Sequence, residues 1–194
     1  VDYILWLRGE AFPDLDLSGQ KILIDCANGA ASEIAPRVMK AFGAEAILMH
    51  AAPNGSNINL DCGATKPQVC ATEMLKHQYD AGLSLDGDAD RGILCDNTGR
   101  ILDGDTILAG LGQAMSQQQK LANNTVVATV MSNLALETYL KESGVTLLRT
   151  QVGDKYVAQE MRNGNHNLGG EKSGHILFGA EHGFRGDGLY TLLQ

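Results

Sequence analysis

The stretch Gly82-Leu83-Ser84-Leu85-Asp86-Gly87-Asp88-Ala89-Asp90-Arg91-Gly92 carries an apolar run straight into three carboxylates on alternate residues, closed by an arginine. A short apolar run bounded by turn residues reads as a buried strand. Like charges packed this tightly repel, so a compensating cation or full solvation must accompany the clustering. In an open parallel sheet, ligands gather outside the carboxyl ends of the strands. The aspartates sit at such an end.

Working outward, the same strand-then-helix alternation recurs on both sides. Lys21-Ile22-Leu23-Ile24-Asp25 is a short apolar run closed by the turn Ala27-Asn28-Gly29-Ala30, followed by a helical stretch from Ser32 to Phe42 that Gly43 stops. Ala46 to Met49 is the next strand; a polar loop then runs from Pro53 to Lys66, and Pro67 opens a helix. Asn97-Thr98-Gly99 joins two short strands, Ile93 to Cys95 and Arg100 to Leu102. The alternation then restarts: a helix from Asp105 to Gln118, strand Thr125 to Val130, helix Asn133 to Glu142, strand Val145 to Arg149, helix Asp154 to Arg162, and strands at Leu168 and Ile176 to Phe178. A βαβ pattern laid down twice predicts two consecutive three-layer α/β/α domains with mixed, mainly parallel sheets, residues 1–103 and 104–194.

Composition narrows the function. The chain has 194 residues, 44% hydrophobic and 20% charged, with a net charge of −8. That balance argues against a nucleic-acid or anionic-membrane partner. No apolar run reaches the roughly 18 residues a bilayer span needs, and no signal peptide opens the chain. Cys26, Cys62, Cys70 and Cys95 form no CxxC pair, so they read as reduced thiols of a cytoplasmic protein rather than zinc ligands or disulfides. The chain starts at Val1 without a methionine and stops at Gly188 to Gln194, a helix just under way. It reads as a piece of something longer.

For the aspartate loop, an EF-hand would need glycine at position 6 and glutamate at position 12 from Asp86, where Arg91 and Asn97 stand. A haloacid-type phosphatase loop would place a small residue and a threonine where Ala89-Asp90-Arg91 stand. A solvated acidic turn and a hard oxygen site for Mg²⁺ both remain open. With a phosphate as a further ligand and Arg91 beside it, the metal reading fits phosphoryl transfer.

A second constellation, Gly169-Gly170-Glu171-Lys172-Ser173-Gly174-His175, sets an acid, a hydroxyl and an imidazole at alternate positions. In an extended segment these side chains point the same way and would suit a polyhydroxyl ligand; a polar hairpin turn is the alternative. His50 and His77 read as packing or surface residues, and His166 and His182 as loop residues without an obvious partner. Asp154 reads as a helix N-cap; Lys155 beside it would attract a phosphate. The turns Ala27-Asn28-Gly29 and Met131-Ser132-Asn133 read as caps before anion sites.

Together these motifs resemble the α-D-phosphohexomutases, which combine a DGDxDR metal loop in their second domain with a GExSGH sugar loop in their third. Asp25 to Ala30, Pro53 to Asn59 continuing to Cys62-Gly63-Ala64-Thr65, and Val152 to Val157 are similar to the phosphoglucosamine mutase branch in particular. The resemblance covers essentially the whole chain. It implies a four-domain bacterial enzyme that interconverts glucosamine 6-phosphate and glucosamine 1-phosphate for cell-wall precursors, through a phosphoserine and a 1,6-bisphosphate. It further implies that Asp86, Asp88 and Asp90 ligate Mg²⁺ and that Arg91 stabilises the transferring phosphoryl group. Glu171 and Ser173 would hold sugar hydroxyls, and His175 would move a proton or position substrate. A phosphoglucomutase or phosphomannomutase, or a non-catalytic binder of Mg²⁺ or sugar phosphate, are the alternatives. Two departures stand out. Ala89 occupies a position where the branch usually has glycine, and neither an SHN-type serine loop nor an RxSGT-type phosphate loop is found in the sequence. The implied partners are therefore a hexosamine or hexose phosphate and domains 1 and 4 of the same protein, with the present chain alone inactive.

Overall fold

The computed structural model describes residues 2–194. By contacts the chain divides into two units. One comprises the chain up to Ile101 together with Gly188–Gln194, and the other is Leu102–Asp187.

In the first unit, a short helix α1 (Tyr3–Trp6), capped by the Asp2 carboxylate, continues into a wider π turn, Leu7–Ala11. There follow β1 (Lys21–Asp25), α2 (Ala31–Ala41), β2 (Glu45–Met49), α3 (Gln68–Met74), β3 (Ala81–Leu85), β4 (Gly92–Asp96) and β5 (Ile101–Leu102). The sheet order is β2-β1-β3-β4-β5. Strand β1 runs parallel to both β2 and β3, and β3 is antiparallel to β4. Strands β1 and β3 are covered on both faces, which is why both read as near-continuous apolar runs. Helix α2 buries Ala31, Ala35, Val38 and Met39, one stripe at helical spacing. On one side of the sheet Leu23, Cys70, Ala71, Met74 and Cys95 form a closed cluster.

The second unit repeats the plan. Its elements are α4 (Gly104–Gln117), β6 (Thr125–Thr129), α5 (Leu134–Glu142), β7 (Thr146–Thr150), α6 (Asp154–Gly164), β8 (Leu168–Gly170) and β9 (Ile176–Phe178). The order is β7-β6-β8-β9, with β6 parallel to β7 and β8, and β8 antiparallel to β9. Both units are therefore α/β with mixed, mainly parallel sheets. Val157, Ala158 and Met161 of α6 pack with Val127 and Leu177 as the core.

The closing helix α7 (Gly188–Leu193) groups by its contacts with the first unit. Its Tyr190 stacks on Trp6 with ring centroids 5.7 Å apart and tilts against Phe12 at 4.9 Å, while the Gly188 N–H donates to the Ala89 carbonyl at 2.9 Å. Aromatic burial outweighs chain proximity here. Cap positions also shift. Gly153, not Asp154, is the cap of α6, and Asp154 lies in its first turn, where a carboxylate favours the positive end of the helix dipole. Asn133 does cap α5, accepting from the Ala135 N–H at 3.0 Å. At α2 the cap position is Ala30, which has no side-chain acceptor; its N–H donates to the Gly87 carbonyl.

All four cysteines are free and buried. Burial pushes the Cys26 and Cys70 thiols up to about 12 from 9.0, with Asp25 adding to the effect at Cys26. The folded state thus favours the neutral thiols, and above the ordinary thiol value only the unfolded chain ionises them. Their contribution is intact below about pH 9 and is lost as pH rises towards about 12. Urea unfolding at about pH 10.5 is expected to show a loss of about 1–2 kcal/mol for each of these two thiols relative to pH 8, a share removed in the Cys26→Ala, Cys70→Ala double variant. Among the described residues no helix is long and apolar enough to cross a membrane.

Candidate functional site

The aspartate loop is the connection of the β3–β4 hairpin. Leu85 pairs with Gly92, so residues 86–91 must turn the chain between two paired strands. The turn is tight: the Ala89 N–H donates to the Asp86 carbonyl at 3.1 Å. Ala89 carries φ +64, in the left-handed region that glycine occupies without strain. The negative φ at which an alanine would sit comfortably is not adopted; the closed turn and the bond from Gly188 to its carbonyl hold it. Ala89→Gly is expected to leave the fold unchanged and to stabilise it by up to about 1 kcal/mol, read by urea unfolding.

This turn brings one carboxylate oxygen of each of Asp86, Asp88 and Asp90 within 4.8 Å of the others. Asp86 is buried, Asp90 half-buried and Asp88 exposed, so the cluster opens to solvent on one side. Burial raises the Asp86 carboxyl above its ordinary value, and the Asp90 and Asp88 charges push it further up; the Arg91 N–H bond and guanidinium act against them. Arg91 folds back over the loop, its Nε 3.4 Å from Asp86 Oδ2 and 3.8 Å from Asp90 Oδ1. Its backbone N–H donates to Asp86 Oδ1 at 3.2 Å. The donor set is all oxygen, anionic and mutually repulsive, which suits a hard dication; a bound Mg²⁺ would relieve the repulsion that a solvated turn leaves in place.

The stretch Asp25 to Ala30 ties together the segments around this loop. Asp25 ends β1 fully buried, its Oδ1 accepting from the Ala27 N–H at 3.0 Å and its Oδ2 from the Gly63 N–H at 2.9 Å. Asn28 accepts from the Ala52 N–H at 3.1 Å and so ties down the start of the polar loop. The Gly87 carbonyl accepts from the Ala30 N–H at 2.8 Å, joining the aspartate loop to the start of α2. A cavity of about 480 Å³ opens beside it, lined by Asn28, Ser32, Glu33, Pro53, Ile58 and Gly87 among others.

In the second unit, residues 171–175 are not extended. The Gly174 N–H donates to the Glu171 carbonyl and the Glu171 N–H to the His175 carbonyl, both at 3.0 Å, and Gly174 has φ +90. This is the hairpin turn between β8 and β9, so the alternate-residue rule does not hold. Ser173 is exposed at the tip, His175 is buried beneath it, and Glu171 is half-buried. Glu171 Oε1 accepts from the Gly153 N–H at 3.0 Å, which couples the turn to the junction leading into α6. Two other histidines depart from expectation: His182 Nε2 lies 3.4 Å from Asp187 Oδ2, and His50 Nδ1 lies 3.1 Å from Asp25 Oδ1.

The family model described as phosphoglucomutase/phosphomannomutase, alpha/beta/alpha domain II, matches residues 10–99, and that for domain III matches residues 103–194. Among curated relatives, the phosphoglucosamine mutase of Nitratidesulfovibrio vulgaris (strain DSM 19637 / Miyazaki F) is 50% identical over 99% of this chain and 42% of its own length. That of Dinoroseobacter shibae is 51% identical over 93% of this chain and 40% of its own. The chain thus spans about two fifths of the length of these relatives. Among solved structures, a phosphoglucomutase/phosphomannomutase family protein from Burkholderia thailandensis superposes with a TM-score of 0.84 at 24% identity, covering 98% of this chain and 41% of that one. N-acetylphosphoglucosamine mutase of Aspergillus fumigatus, in complex with GlcNAc-6P and magnesium, superposes with a TM-score of 0.68 at 21% identity, covering 91% and 45%.

Proposed function

The chain belongs to the phosphoglucomutase/phosphomannomutase family, and from that premise we propose that it supplies the second and third domains of a phosphoglucosamine mutase. The observation that carries the reading is the convergence of three carboxylates at the end of β3. The curated phosphoglucosamine mutases that match nearly the whole chain support the choice of substrate. The whole protein interconverts glucosamine 6-phosphate and glucosamine 1-phosphate through a phosphoserine and a 1,6-bisphosphate, in the cytoplasm, and its product serves cell-wall precursor synthesis.

Asp86, Asp88 and Asp90 would hold Mg²⁺, which, when bound, neutralises charge on the phosphoryl group in flight. The residues of the chain do the rest. Arg91, held beside Asp86, keeps a guanidinium at the same spot and stabilises phosphoryl charge. Glu171 has one oxygen fixed by the Gly153 N–H; its second oxygen accepts from a sugar hydroxyl. Ser173, at the tip of the turn, donates to another. His175, buried at the base of that turn, positions the substrate and passes a proton.

The phosphoryl-donating serine of the resemblance is not found in this chain, so the chain alone is expected to be inactive. The test is a mutase assay of the full-length protein with Mg²⁺ on glucosamine 6-phosphate, glucose 6-phosphate and mannose 6-phosphate, with the 194-residue chain alongside. The reading requires the highest kcat/KM on glucosamine 6-phosphate. Preference for glucose or mannose 6-phosphate would move it to the other mutases of the family. Turnover of none would leave a sugar-phosphate binder, and turnover by the chain alone would contradict the missing nucleophile.

A further inference from the structure

Three side chains outside the aspartate loop converge at the carboxyl edge of the first unit's sheet. Asp25 ends β1, His50 follows β2, and Cys62 precedes the short turn Gly63–Thr65. One potential ligand atom from each lies within 4.8 Å of the others. Asp25 and Cys62 are completely buried, whereas the His50 side chain is 33% exposed.

The geometry of the histidine is the informative part. His50 Nδ1 is a buried atom 3.1 Å from Asp25 Oδ1, yet it makes no hydrogen bond. A simple imidazole–carboxylate pair would aim the N–H at the oxygen. Neighbouring ligand atoms of a tetrahedral ion with bonds of about 2.0–2.1 Å lie about 3.3 Å apart, close to the 3.1 Å between His50 Nδ1 and Asp25 Oδ1. Asp25 is already oriented, each oxygen accepting one backbone N–H and keeping a lone pair.

We propose that Asp25, His50 and Cys62 form a binding site for a borderline-soft transition dication of the zinc class, separate from the aspartate loop. A carboxylate, an imidazole and a thiolate together match that class and not Mg²⁺ or Ca²⁺. The partly exposed His50 face gives the ion an entry path and leaves a fourth position for water. The ion would tie the polar loop to the ends of β1 and β2. It would also act close to the aspartate loop, because Gly63 packs so tightly on the Leu85 carbonyl that a Cβ there would overlap it.

The test is a Co²⁺ titration of the 194-residue chain, reading the visible bands of four-coordinate Co²⁺ and the near-ultraviolet thiolate-to-cobalt band. One four-coordinate Co²⁺ per chain, displaced by Zn²⁺, is expected, with its bands unchanged in Asp88→Asn. Cys62→Ser should abolish the thiolate band, and His50→Ala should weaken binding at least about tenfold. Circular dichroism on each variant checks that the fold persists, and the half-exposed His50 supplies an arm that does not disturb the core. Absence of a thiolate band from the native chain, its persistence in Cys62→Ser, or undiminished affinity in His50→Ala would each overturn the proposal.

Discussion

Gly29→Ala is expected to destabilise the first unit by about 3 kcal/mol and to weaken dication binding in the same variant. Gly29 has no need of positive φ; its constraint is space. A Cβ there would overlap the Gly87 carbonyl oxygen and sit 2.7 Å from the Gly87 Cα and 2.8 Å from its carbonyl carbon. All three atoms are backbone, so no side chain can swing aside. The carbonyl that would be pushed away accepts the Ala30 N–H at the start of α2 and belongs to the residue between Asp86 and Asp88. Relief therefore requires either opening the α2 junction or displacing the aspartate loop. Urea unfolding and Mg²⁺ calorimetry read the two consequences, and a variant within about 0.5 kcal/mol of the native chain would show that the junction yields more easily than its geometry implies.

Asp86→Asn in the full-length protein is expected to lower kcat for mutase turnover by about 1,000-fold or more, on the order of 4 kcal/mol of lost transition-state stabilisation. The fold should not suffer. Burial and the neighbouring carboxylates already disfavour the Asp86 charge, so a neutral isostere removes a repulsion, and the amide oxygen of the replacement can still accept the Arg91 N–H. The expected signature is a large loss of turnover beside unchanged or slightly raised stability without added metal. A loss below about tenfold would mean that the loop does not serve the chemistry.

The parts of this architecture that can be read from the sequence are those written in short repeats. Buried strands such as Lys21–Asp25 and Ala81–Leu85 are continuous apolar runs, and glycine or proline marks the helix ends. The carboxylate cluster is visible because its three members lie close together on one turn. What escapes depends on contacts between distant positions. Helix α7 joins the first unit through Trp6 and Phe12, at the opposite end of the chain. The Asp25, His50 and Cys62 group draws on three segments with no ligand spacing, so cysteine counting cannot find it. At Glu171 to His175 the pattern leaves an extended segment and a polar hairpin turn both open, and Gly174 at φ +90 closes the turn, which separates Ser173 from His175. At Ala89 the residue type argues for a conformation that the surrounding hydrogen bonds overrule.

The claim on which the rest depends is that the loop after β3 is a dication site. Calorimetric titration of Mg²⁺ into the native chain, beside the Asp88→Asn and Cys62→Ser variants, tests it most directly. Asp88 is the exposed member of the cluster, so its replacement leaves the core intact. A single weak site is expected in the native chain and in Cys62→Ser, weakened at least about tenfold in Asp88→Asn. Equal Mg²⁺ binding by the native chain and Asp88→Asn would contradict it.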